Sequence, residues 1–184
     1  MAELSTAAWV LHDLGLAAGF GGNLFGKVAL NPAVKSIPDA RERGKVVHDA
    51  WEGYRVVSAI SLVAVAGTWL IGRTLVSGRS AGKKVRALTL SKDALVASTV
   101  GTGVASMILG GLLDREVERG QFPVQPGSEP SPNASLHARR LQRAVNIVGD
   151  ANIVLSGAVL GITTILAMQS GKSAKWSFLS RFLP

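Results

Sequence analysis

Three stretches of this chain carry no charged side chain: 17 residues from Val56 to Gly72, 20 from Ala94 to Leu113 and 21 from Ala151 to Gly171. A helix of about 20 apolar residues crosses a hydrocarbon core of about 30 Å, and 17 is near the lower limit. Backbone amides in lipid must be satisfied within the segment, so segments of this kind are read as helices. A fourth stretch, Ala7 to Leu30, is long enough, but His12, Asp13 and Lys27 interrupt it near its two ends. At those depths the groups stay close to water or snorkel towards it.

Composition excludes the rival reading, four buried helices of a water-soluble domain. The chain of 184 residues is 47% hydrophobic and 17% charged, against about 25% charged in a soluble domain. Too little polar surface remains to cover four such helices. The expectation is an all-α integral membrane four-helix bundle of up-down topology, forming a single transmembrane domain over 1–184. Its spans are placed at about 7–30, 56–75, 94–113 and 146–170. In type it is similar to small Ala-, Gly- and Val-rich four-span membrane proteins of bacteria, a likeness that carries no functional residue.

Aromatic placement supports these spans independently, because tryptophan concentrates at the membrane–water boundary. Trp9, Trp51, Trp69 and Trp176 all fall at span ends, and Tyr54 accompanies Trp51. The opening residues MAELSTAAW contain no Lys or Arg, whereas a secretory signal needs a positive start, so the first helix is expected to be retained. Asp39, with Glu42 three residues later, reads as a capping box opening a polar lead-in to the second span. The segment 122–135 contains four prolines and reads as a loop. Residues 136–150 then resume a helix into the fourth span, so helices two to four are expected to extend beyond the membrane on one side.

The net charge of +8 has two explanations. Lys and Arg attract nucleic-acid phosphate, but here they flank the spans, where lipid headgroups and topology account for them. No nucleic-acid partner is expected. Lys and Arg divide almost evenly between the two faces. The dense basic loop between spans two and three favours both termini on the cytoplasmic side of the cell membrane. The tail 172–184 interleaves cations with Trp176, Phe178 and Phe182, a pattern suited to anionic lipid at a membrane surface.

Two sets of residues are candidates for function. Gly15, Gly19, Gly22 and Gly26 form a stripe on the first helix at spacings of four, three and four. Small residues let helices approach closely in lipid, so the stripe is a helix-packing interface, within the bundle or against another subunit. Asn23, Lys27, Asn146, Asp150 and Asn152 fall at one membrane face, where a Lys27–Asp150 pair ringed by asparagines neutralises two costly charges or contacts a solute. His12 and Asp13 belong to the opposite face.

Enzyme chemistry finds no support. There is no cysteine, no HExxH, no GxSxG and no phosphate-binding glycine loop after a strand. The three histidines His12, His48 and His137 are not placed on facing helices for a haem. His48 and His137 with Asp49 are weak material for a metal site, and no cofactor is expected. Glu116 and Glu118, beside Arg115 and Arg119, read as a solvated helix end. The leading functional expectation is therefore non-enzymatic. It is an accessory subunit or homo-oligomeric scaffold acting through helix packing, within a homo-oligomer or a larger membrane complex. The alternative is a small transporter or channel using the rim polar cluster.

Overall fold

The computed structural model describes residues 2–76, 83–118, 124–125, 129–130 and 134–171. Four long helices dominate: α1 (Ala2–Phe25), α2 (Ala40–Val76), α3 (Lys83–Glu118) and α4 (Leu136–Gly171). After Phe25 the chain continues through a π-helical turn Gly26–Leu30, a turn Asn31–Ala33 with Pro32 inside it, and a 3-10 turn Val34–Ser36. The wider turn precedes a proline that has no N–H to continue an ordinary helix.

Two of the later helices, α2 and α4, start where the sequence provides a cap. The Asp39 carboxylate accepts the Glu42 backbone N–H at 2.8 Å, opening α2. Ser135 Oγ accepts the Ala138 N–H at 3.1 Å, opening α4. Within the segment expected to be a loop, Val124–Gln125 pairs antiparallel with Glu129–Pro130. The basic tail 172–184, with the anionic-lipid contact expected there, lies outside the described residues.

The bundle is up-down. Tyr54 of α2 reaches Gly19 of α1, and His12 of α1 reaches Thr68 of α2, so those two helices run antiparallel. Trp69 of α2 meets Asp93 near the start of α3, while Asp114 near the end of α3 meets Arg55. Asn152 of α4 bonds to both Thr99 of α3 and Asn23 of α1. Packing is closest within the hairpins α1–α2 and α3–α4. At 36 or 37 residues each of the last three helices is about 55 Å long. They exceed the hydrocarbon thickness and extend beyond it, together, at the end where α2 begins.

Three of the helices contain segments long and apolar enough to cross a membrane: Glu42–Gly72, Ala87–Glu116 and Leu136–Leu166. Among the described residues α1 falls short of that standard, because His12, Asp13, Asn23 and its glycines dilute the apolar run. The exterior is apolar, with Ile60, Val63, Ile108, Ile147 and Val154 all exposed. This is the surface of a membrane-embedded protein in contact with lipid.

The centre of the bundle is one apolar layer. Leu16, Val65, Val96 and Val159, one from each helix, are 0–3% exposed and touch one another as a single cluster. Val65 and Val159 lie near the centres of their charge-free stretches, whereas Val96 lies near the start of its own. That register brings Lys92, four residues before Val96, into the interior, where it is 9% exposed.

Candidate functional site

The glycine stripe is occupied by the chain's own second helix. A Cβ added at Gly15 would come within 3.1 Å of Ala64 Cβ and of the Ser61 carbonyl oxygen. At Gly22 it would fall on the ring of Tyr54, and at Gly26 on the indole of Trp51. Gly19 has looser contact, 3.7 Å from Ser61 Cβ. The Tyr54 hydroxyl donates within this seam to the carbonyls of Ala18 and Gly19, at 2.9 and 3.0 Å. The four glycines therefore pack within the bundle, and the stripe is not a free surface for another subunit.

Aromatic rings wedged between α1 and α2 at one level help to hold the bundle open beside them. A cavity of about 410 Å³ lies at this end, lined by all four helices. Its apolar wall includes Met107, Leu113, Val145 and Ile153, and Trp51 and Tyr54 face it from α2. Gly110 and Gly149 also line it, and a Cβ on either meets nothing within 4 Å. Sites for small molecules range from about 300 to 1,000 Å³ and combine apolar walls with a few polar groups.

Those polar groups form two ion pairs joining different helices. Lys27, in the π-helical turn that follows α1, donates to Asp150 of α4; both side chains are half exposed. Arg55 donates to one oxygen of Asp114, and His48 Nδ1 donates to the other at 3.0 Å, linking α2 to α3. His48 Nε2 lies 3.6 Å from Glu52. The five charged or titratable residues Lys27, His48, Arg55, Asp114 and Asp150 all line the cavity.

Of the expected rim residues, the structure brings Asn23, Lys27, Asp150 and Asn152 into one α1–α4 seam. Asn23 Nδ2 donates to Asn152 Oδ1 at 3.1 Å, and Asn152 Nδ2 donates to the Thr99 carbonyl at 2.8 Å and to Thr102 Oγ1 at 2.9 Å. Asn146 lines the cavity but bonds along its own helix, accepting from Gln142 Nε2 at 3.3 Å. The group His48, Arg55 and Asp114 was not picked out in the sequence. Its only signal there is that His48 and Arg55, seven residues apart, share a helix face.

Two weaker expectations change. His137 is exposed, and the group of potential metal ligands near His48 is His48 with Asp49 and Glu52, whose ligand atoms lie within 4.8 Å of one another. Glu116, read as solvated, is buried at 8% exposure; it turns inward at the bundle end rather than towards water. The side chain of Glu118 lies outside the described residues.

A second cavity, of about 40 Å³, adjoins the first, and Asn23, Ser58 and Ser106 line both. Ser61, Thr99, Asn152 and Ser156 line the inner one, which ends against Leu16 and Val65 of the apolar layer. Ser106 Oγ is buried without a hydrogen-bond partner among the described residues. Compared with known proteins, the chain matches no family model, no curated protein and no solved structure.

Proposed function

We propose that this chain is a non-enzymatic, multi-pass protein of the cell membrane that binds a small amphipathic solute inside its bundle and acts as a small transporter. The observation that carries this reading is the cavity of about 410 Å³ with cross-helix ion pairs set in a lining whose surface is mainly apolar. Its wall suits a hydrocarbon moiety. Lys27–Asp150 and Arg55–Asp114 offer both signs of charge to a polar head, and each pair is able to exchange its partner for the solute's.

In this reading α1 is the fourth span. It packs along α2 from His12 to Gly26, so it runs at the same depth, and its His12 and Asn23 bond to other helices. Both termini lie on the cytoplasmic side. Scaffolding through the glycine stripe loses its basis, because α2 fills that stripe.

The test is native mass spectrometry of the protein released from its own membrane. The expected result is a retained molecule of a few hundred daltons that is lost in the Gly110→Leu, Gly149→Leu double variant, whose added side chains enter open cavity space. A wild-type protein with no bound mass, or a bound mass unaffected by filling the cavity, would overturn the proposal.

A further inference from the structure

The apolar layer is sandwiched between two buried polar layers at helical spacing. On the cavity side, Ser61 lies four residues before Val65, Thr99 three after Val96 and Ser156 three before Val159, and all three are buried. On the other side, His12 lies four before Leu16, Thr68 three after Val65, Lys92 four before Val96 and Thr163 four after Val159. These four are between 4% and 9% exposed. Residues at i±3 and i±4 lie on one helix face, so α2, α3 and α4 each direct a polar, an apolar and a polar group inward in turn, and α1 adds His12 and Leu16.

The far layer has a defined protonation pattern. The Thr68 hydroxyl donates to the Ala64 carbonyl at 2.6 Å, so its oxygen accepts at 2.9 Å from His12 Nδ1–H. In the Nδ1–H tautomer, which fits this chain of bonds, Nε2 carries a lone pair. Nε2 is buried and has no hydrogen-bond partner among the described residues. Lys92 lies 4.5 Å above the Trp9 ring. Among the described residues, the charged groups beside His12 are Asp13 on α1 and Lys92 on α3, and Thr68 and Thr163 are buried groups of α2 and α4 in the same layer.

On the near side, the inner cavity of about 40 Å³ is large enough for about three waters, since one needs about 10–15 Å³ of such volume. The hydroxyls there donate along their own helices, Thr99 to Leu95 and Ser156 to Asn152. Their lone pairs remain to accept from water. Only the apolar layer, about one helical turn thick, separates this water from His12.

We propose that the bundle contains a gated proton path. Protons enter through the wide cavity and the inner water, cross the Leu16–Val65–Val96–Val159 layer when it wets, and bind His12 Nε2. The imidazolium then gives its Nε2 proton to water on the side of the opposite face, which restores the neutral Nδ1–H form. Apolar constrictions gate by dewetting, and ionisable residues inside a membrane bundle mark proton relays. The inference rests on the transporter reading and assigns the proton as the ion moved with, or against, the solute.

The experiment uses the full chain in potassium-clamped vesicles containing a trapped pH dye, with an imposed pH gradient and valinomycin. Val96→Thr places a hydroxyl in the apolar layer at nearly constant volume, and Val159→Thr repeats the test on another helix. Either variant is expected to speed proton entry about tenfold over wild type, equivalent to about 1.4 kcal/mol off the barrier. Potassium flux without valinomycin stays unchanged, and adding His12→Gln returns the rate to that of protein-free vesicles. No acceleration in either threonine variant, an acceleration that His12→Gln leaves intact, or a matching leak of potassium would each overturn the proposal. Retention of the solute is read separately: a protein that holds its ligand but passes no protons defeats this inference and leaves the cavity reading standing.

Discussion

Asp114 bonds both His48 and Arg55, two residues that lie two helical turns apart on α2. One carboxylate on α3 thereby holds a seven-residue length of the facing helix. The three side chains are 22–39% exposed, too withdrawn for water to replace the lost partner fully. Asp114→Ala is expected to lower unfolding free energy by about 1–3 kcal/mol, the cost of leaving half-buried polar groups unsatisfied. Lys27→Ala removes a pair that is 51% exposed on both sides and should cost no more than about 1 kcal/mol. Reversible unfolding in mixed micelles compares the two, and equal losses would contradict the burial argument.

Replacing Gly22 or Gly26 by Leu forces side chains into the rings of Tyr54 and Trp51. Overpacking of this kind costs about 1–3 kcal/mol. Gly21, one residue away and exposed, has nothing within 4 Å of an added Cβ. Gly21→Leu should therefore leave the melting temperature within error of wild type, while Gly22→Leu and Gly26→Leu lower it. Melting followed by tryptophan fluorescence provides the comparison, and an equal effect at all three positions would mean that α1 does not pack on α2 in this register.

Asn152 uses its amide to tie three helices together, and Asn23 is its partner on α1. Hydrogen bonds between helices in membranes average about 0.6 kcal/mol and reach about 1.7. A double-mutant cycle over Asn23→Ala and Asn152→Ala should give a coupling in that range. A coupling indistinguishable from zero would show that the two amides do not meet in the bilayer.

The membrane class and helix count were legible because absence of charge is a local property, readable from gaps such as Asp93 to Asp114 without knowing what packs where. Asp39 and its cap were legible for the same reason, being a contact within one turn. The cavity was not, because Gly110 and Gly149 are ordinary residues until four helices surround them. Nor was Lys92. Counting from charge to charge places it outside the bilayer, whereas its spacing of four from Val96 turns it inward beside Trp9. The glycine stripe was visible as a spacing, but only the placement of Trp51 and Tyr54 decides which helix fills it.

The rings of Tyr54 and Trp51 lodged over Gly22 and Gly26 also bear on how the chain enters its membrane. Taken alone, α1 would present His12 to lipid without Thr68 and would leave its glycine seam unfilled, and α2 supplies both contacts. The first helix is thus a poor candidate for independent partitioning from the translocation machinery. It should wait at the machinery's lateral gate until α2 has been synthesised, and the two should leave as one hairpin. In a cell-free insertion assay with glycosylation tags, α1 followed by a polar segment should integrate far less completely than α1 followed by α2.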